Sequence, residues 1–172
     1  MRIALLSGSS TDFLAAPLAL ELETFGIMSE LHRGEFGTYA HEMLEATSET
    51  ARFRPDVAIL LTTHAMIPDW PAVGDSAERV EALVEDATSR WLGLCESLHA
   101  HTNCEIVVGN LHVLPARTMG SLGCRMPWDA NTFVRGINAS LARRAPAYVH
   151  LLDVDTLSAI HGVSNWFDAR FW

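Results

Sequence analysis

Apolar runs and helical repeats alternate along the chain. Arg2 to Ser7 is a short apolar run that predicts a first strand. It breaks into the small, hydroxylated turn "SGSST". Asp12 or Thr11 can then cap a helix running to about Phe25, which Gly26 ends. Ile27 to His32 alternates as a second strand should, and Tyr39 to Ala46 predicts a short helix. "VAILLTT", Val57 to Thr63, is apolar throughout, the mark of a strand covered on both faces. The longest helix starts near Asp75 or Ser76; Val80, Leu83, Val84, Ala87, Trp91, Leu94, Cys95 and Leu98 recur at its period. "CEIVVG" from Cys104 is a fourth strand, and residues 111–128 are a Gly- and Pro-containing loop. Ala130 to Arg144 predicts a helix, "AYVHLLD" a fifth strand, and Thr156 to Ile160 a last helix.

Strands separated by helices predict a three-layer α/β/α domain on a five-stranded parallel sheet. The strand order expected of it is 2-1-3-4-5, the flavodoxin-like one of the two common doubly-wound orders. Residues 1–172 show no repeat and no internal boundary, and read as a single domain. In such a sheet ligands bind beyond the carboxyl ends of the strands. Those ends deliver "SGSST", then Gly34 and Gly37, His64, Gly109 and Asn110, and Asp153 and Asp155. Hydroxyls, glycine amides, an imidazole and carboxylates are the parts of an acyl-transfer site.

Composition narrows the chemistry. All 12 basic residues are arginine, which removes a Schiff-base lysine and the lysine of a phosphate-binding P-loop. A net charge of −9 without a basic patch argues against nucleic acid. Cys95, Cys104 and Cys124 match no disulfide or metal pattern and predict buried thiols in a reducing compartment. No segment has the length of a membrane span, and the start lacks a signal peptide, so the expected location is cytoplasmic.

Ser9 is the leading nucleophile candidate, at a helix start where amides can stabilise an oxyanion; Ser9, Ser10 and Thr11 can equally form a turn and a cap. Gly8 allows a sharp turn beside it. The turn lacks both the P-loop and the dinucleotide glycine spacing, so a nucleotide site is the weaker reading. Gly34 and Gly37 can let amides approach a substrate or simply adopt positive φ. His64 can be a base, an oxyanion donor or a structural histidine, and Asn110 can donate to the site or close a turn. "HAH", His99 to His101, lies at a helix end, so neither metal nor cofactor is expected. "DVDTL", Asp153 to Leu157, is similar to the aspartate motif of haloacid-dehalogenase phosphatases. It is one residue short and in the last strand, and it reads as a strand end with a helix cap.

"SGSST" and "GEFG" resemble the first two blocks of SGNL/GDSL-type hydrolases. The resemblance implies Ser9 as nucleophile, with Thr11 in its usual place, Gly37 as the second-block glycine that donates to the oxyanion, and Asp168 in "FDARF" as the last-block aspartate. Gly8, Ser10 and Asn110, from the strand ends, are the further candidates for binding oxyanion or substrate. Two positions depart from that pattern. His64 stands where the third-block asparagine is expected, and Phe171 where the last-block histidine is expected. His161, seven residues before Asp168, can supply an imidazole only if the loop between them folds back.

A wider resemblance, carried by "SGSSTDFLAAPLALELETFGI", "GEFGTYAHEML", "RFRPDVAILL" and "VHLLDVDTLSAIHGVSNWFDARFW", is to the SGNL-like N-terminal region of FkbH-type proteins of polyketide pathways. It implies a partner domain of the haloacid-dehalogenase type and loading of a glyceryl group, from 1,3-bisphosphoglycerate, as a thioester on an acyl carrier protein. The chain is then expected to be an excised N-terminal domain or a stand-alone relative. Its function is expected to be acyl or glyceryl transfer through Ser9, with non-catalytic docking of the carrier protein and a GDSL-type esterase as the alternatives. The phosphopantetheine arm of the carrier is the implied partner group, with Arg117 and Arg125 as docking candidates.

Overall fold

A computed structural model describes residues 1–166 of the chain. Strands β1 (Arg2–Ser7), β2 (Glu30–Arg33), β3 (Val57–Leu61), β4 (Glu105–Gly109) and β5 (Val149–Leu152) form a five-stranded sheet ordered β2-β1-β3-β4-β5. Every pairing is parallel. The helices are α1 (Asp12–Thr24), α2 (Tyr39–Leu44), α3 (Glu49–Phe53), α4 (Ala77–Thr102), α5 (Ala130–Arg144), α6 (Val154–His161) and α7 (Val163–Trp166). This is the expected three-layer α/β class and the expected strand order.

The described residues divide into two compact units. The first takes Met1–Met66, Trp91–Gly109 and Ala145–Leu152; the second takes Ile67–Arg90, Asn110–Arg144 and the described residues from Asp153. Both units draw on several separate stretches, so no linker marks a boundary in the sequence.

The first unit holds the whole sheet. Ala4 and Leu6, Ala58 and Leu60, and Ile106 and Val108 share one face by register and are all buried. A right-handed crossover from β1 to β2 through α1 runs one way. The return over β1 to β3 through α2 and α3 runs the other, which leaves these helices on opposite faces. Trp91, Cys95 and Leu98 of α4 are buried one and two turns apart. The end of α4 is tied down by histidines. His99 Nδ1 lies 2.8 Å from the Cys104 carbonyl while its ring stacks on Tyr148 at 3.8 Å, and His101 Nε2 lies 3.2 Å from the Leu44 carbonyl.

Two differences from the sequence reading have clear causes. Strand β2 begins at Glu30, not Ile27, because α1 ends in a Schellman closure. Gly26, at φ 76°, donates to Glu23, and the Ile27 amide donates to the Leu22 carbonyl, so it is lost to the sheet. Helix α3 is too short to show a period. It is held by Ser48 Oγ, which accepts from the Ala51 amide, and by the buried Glu42 carboxylate, which accepts from the Thr50 amide at 2.8 Å.

In the second unit α5 buries Phe133, Val134, Ile137 and Leu141. Trp70 meets Phe133 edge-on, with ring centroids 5.6 Å apart. Gly136 allows the approach of α4, since a Cβ there would lie 3.1 Å from Val84 Cγ2.

Candidate functional site

Ser9 follows β1 in the first unit and is half-buried. Its hydroxyl lies 3.2 Å from Ser7 Oγ, and its amide donates to the same oxygen at 3.1 Å. Ser7 Oγ donates to the Leu61 carbonyl at 3.0 Å. A serine hydroxyl has one proton and two lone pairs. With the Ser7 proton spent on Leu61, Ser9 Oγ is the donor in the pair. Ser7 is therefore the direct partner of Ser9, and the sequence reading did not single it out. Its signal is the two-residue spacing, which suits a hydroxyl turning back to the amide two residues on.

Ser10 Oγ accepts from the Asp12 amide at 3.3 Å and donates to the Asp12 carboxylate at 3.0 Å. Thr11 stands at the N-cap of α1, yet its side chain makes no capping bond. The orphan amides at this helix start are thus only partly satisfied by side chains.

Gly8 is a glycine for reasons of space. Its φ is not in the positive range, but a Cβ there would lie 2.7 Å from Met66 Cγ and 3.5 Å from Thr63 Oγ1. Thr63 and Met66 bracket His64, which opens a single 3-10 turn, His64–Met66, after β3. The loop of Ser9 and the turn of His64 therefore meet at Gly8. Gly37 sits at φ 75° with open space around it, so conformation and not close approach requires a glycine there.

Asn110 and His161 lie in the second unit. Asn110 Nδ2 donates to Asp153 Oδ1 at 2.9 Å, and its Oδ1 accepts from the Asp155 amide at 2.9 Å. Asp153 caps α6 through the Thr156 amide and hydroxyl. Bonds from Thr156 first, then from Asn110, hold the Asp153 carboxyl below the usual carboxylate range. "DVDTL" is thus a strand end followed by a cap. His161 ends α6, exposed, with its ring edge-on to Trp166 at 6.1 Å. Asp168 lies outside the described residues.

The loop after β4 is pinned by α5. Asn138 accepts from the Leu111 amide and donates to its carbonyl, and Asn131 does the same for Leu114. Two asparagines seven residues apart share one helix face; that spacing was the available signal.

The thiols are free. Burial pushes the Cys95 thiol up to about 12, and burial also raises Cys104. Neither supplies a thiolate nucleophile near neutral pH. Among the described residues no group of three or more His, Cys, Asp or Glu is arranged to hold a metal ion, and no helix is long and apolar enough to cross a membrane.

Three solved structures share the fold. The first is the N-terminal part of the protein BF1531 from Bacteroides fragilis, described as containing a phosphatase domain complexed with Mg. It aligns with TM-score 0.79 and 20% identity over 99% of this chain and 44% of that one. This chain therefore spans less than half of that relative. The second is the acetyl xylan esterase AlAXEase, with TM-score 0.58 and 13% identity over 96% and 83% of the two chains. The third is a lipase/acylhydrolase from Enterococcus faecalis, with TM-score 0.55 and 8% identity over 99% and 85%. At these identities the likeness is one of fold alone: three-layer α/β on a five-stranded parallel sheet. No curated protein matches the chain. The family model described as "FkbH, N-terminal domain" matches residues 2–172, and the chain belongs to that family.

Proposed function

We propose that the domain transfers an acyl or glyceryl group in company with an acyl carrier protein, with Ser9 as nucleophile and His64 as its base. The reading rests above all on the contact of Gly8 with Met66 and Thr63, where the Ser9 loop meets the His64 turn. Ser9 Oγ attacks the thioester carbonyl as His64 takes its proton. The C–S bond then breaks, and the carrier thiolate leaves and recovers that proton. The amides around Gly8 and Ser10, with Gly37 and Asn110, are the proposed oxyanion and substrate donors; Asp168 is the proposed orienting carboxylate and His161 a second candidate base. Water in place of an acceptor would make the same site a GDSL-type esterase. A phosphatase-type domain, as in the Bacteroides relative, is the proposed neighbour that would remove phosphate from a phosphorylated donor. Cytoplasmic placement belongs to the same proposal and is supported by the three free thiols.

Intact-mass spectrometry after incubation with an acetyl or glyceryl thioester tests the reading. An adduct is expected on the wild type and absent from Ser9→Ala. No adduct on the wild type, or an equal adduct on the variant, removes the nucleophile.

A second reading, a non-catalytic docking module, is favoured by one observation: the Ser9 hydroxyl is spent on another hydroxyl, Ser7, which is no base. Carrier proteins are commonly acidic, and this chain carries a net charge of −9, so docking would rely on local arginines. Arg117 and Arg125 are exposed in the loop before α5. Titration with labelled carrier protein should show weaker binding for the Arg117→Ala, Arg125→Ala double variant; equal affinity excludes that loop.

A further inference from the structure

The Ser9 loop borders a cleft of about 470 Å³ in the first unit, whose walls include Ser10, Thr11, Asp12, Arg33, Glu35 and Phe36. Its size is that of a small-molecule site. Three features decide what it can take.

The first is a polar array whose members are bonded to one another. Asp12 Oδ1 is ion-paired with Arg33 Nη1, and Asp12 Oδ2 accepts from Ser10 Oγ at 3.0 Å. A guanidinium, a carboxylate and a hydroxyl are thus held side by side, donors next to acceptors. Groups that both donate and accept, as alcohols do, can pair with all of them.

The second is the charge. The Arg33 guanidinium is engaged by Asp12, and Glu35 adds a further carboxylate. A phosphate or carboxylate ligand would share that one guanidinium with Asp12 and meet two carboxylates beside it. A neutral ligand meets no such penalty.

The third is Phe36, a lining residue that is 75% exposed and carries an aromatic ring. The negative face of an aromatic ring attracts weakly positive C–H groups. A pyranose ring presents a face of C–H groups and a rim of hydroxyls, which matches the ring on one side and the polar array on the other. A short linear polyol has the hydroxyls but no such face.

We infer that this cleft binds a neutral pyranoside, stacked on Phe36 and hydrogen-bonded to the Ser10–Asp12–Arg33 array. The inference goes beyond the acyl transfer proposed above and does not require Ser9 to react.

The test is a titration of the isotope-labelled chain, followed by amide NMR, with three probes: methyl α-D-glucopyranoside, glucose 6-phosphate and glycerol. The glucoside should shift amides at Ser10, Thr11, Arg33 and Glu35 with a dissociation constant on the order of 10 mM, as a single shallow contact site allows. Glucose 6-phosphate and glycerol should bind more weakly. Phe36→Ala, at an exposed position, should leave distant amides unmoved and weaken the glucoside by about fivefold. Asp12→Asn should narrow the gap between the glucoside and the phosphorylated sugar. No shifts with the glucoside, tighter binding of glucose 6-phosphate or glycerol by the wild type, equal glucoside binding by Phe36→Ala, or an unchanged gap in Asp12→Asn overturns the inference. Glucoside binding without a Ser9 adduct would sink the acyl-transfer reading alone; an adduct without glucoside binding would sink this one alone.

Discussion

Ser7 Oγ accepts from both the amide and the hydroxyl of Ser9 while donating to the Leu61 carbonyl of the neighbouring strand. One buried hydroxyl therefore joins the candidate nucleophile to the sheet. Ser7→Ala leaves the Ser9 amide and the Leu61 carbonyl short of a partner and should cost about 1–3 kcal/mol, read as a lower urea midpoint at unchanged slope. Ser9→Ala leaves Ser7 its bond to Leu61 and should cost clearly less. Equal losses for the two would show that Ser7 is not the hub.

Gly8 and Met66 touch across the site. Gly8→Ala drives a methyl against the middle of the buried Met66 side chain, not its free end. The expected loss is about 1–3 kcal/mol. Met66→Ala opens the space, so the double variant should lose less than the sum of the single losses by about 0.5 kcal/mol or more. Strict additivity in the cycle would contradict the contact.

His64→Ala separates the catalytic from the structural role of this histidine. If His64 serves as base for Ser9, the variant should lose the thioester adduct and keep its melting temperature. A fall of several degrees in Tm, corresponding to about 1 kcal/mol or more, would mark it as a structural residue.

Asp153 offers a pH dependence whose sign is determined. Bonds from Thr156 and Asn110 favour its charged form and lower its pKa in the folded chain. Its contribution is therefore present above the unfolded carboxylate pKa, about 3.9, and disappears as pH falls through the lower folded value. The stability difference between wild type and Asp153→Ala should be constant from neutral pH down to about 4.5 and shrink below it. A difference that grows in acid would reverse the assignment.

The thiols should react in order of exposure. Cys124 is exposed, whereas Cys95 is buried with its pKa pushed up to about 12, and Cys104 is buried and raised as well. Iodoacetamide on the folded chain should add a single carbamidomethyl group, located at Cys124 by peptide mass. Labelling of Cys95 without unfolding would contradict the burial of α4.

Hydrophobic period is local information, and it carried most of the fold. The run "IALL", the helical repeat from Val80 to Leu98 and the strand "EIVV" each reflect one burial environment repeated along a short stretch. With the handedness of crossovers, that order of elements leads to a parallel sheet covered on both faces, and of the common doubly-wound orders the tertiary structure takes β2-β1-β3-β4-β5. The location of Ser9 and His64 at strand ends follows from the same logic. The glycines mark where local sequence reasoning stops. Gly8 and Gly37 look alike in the sequence, yet a Cβ at Gly8 would strike Met66, while Gly37 needs only its φ of 75°.

Everything that depends on pairs of residues distant in the chain was decided by tertiary structure. Helix α3 stands on a carboxylate from Glu42, and the start of the loop after β4 is held by asparagines 17 and 27 residues away. Asn110, a candidate oxyanion donor by its position, is engaged by Asp153 and the Asp155 amide, which lie more than 40 residues on. The Ser9 hydroxyl donates to Ser7 because Leu61, on the next strand, takes the proton of Ser7. A hydrogen bond needs its partner within about 3 Å in a set direction, and no repeat along a chain encodes which distant atom will arrive there.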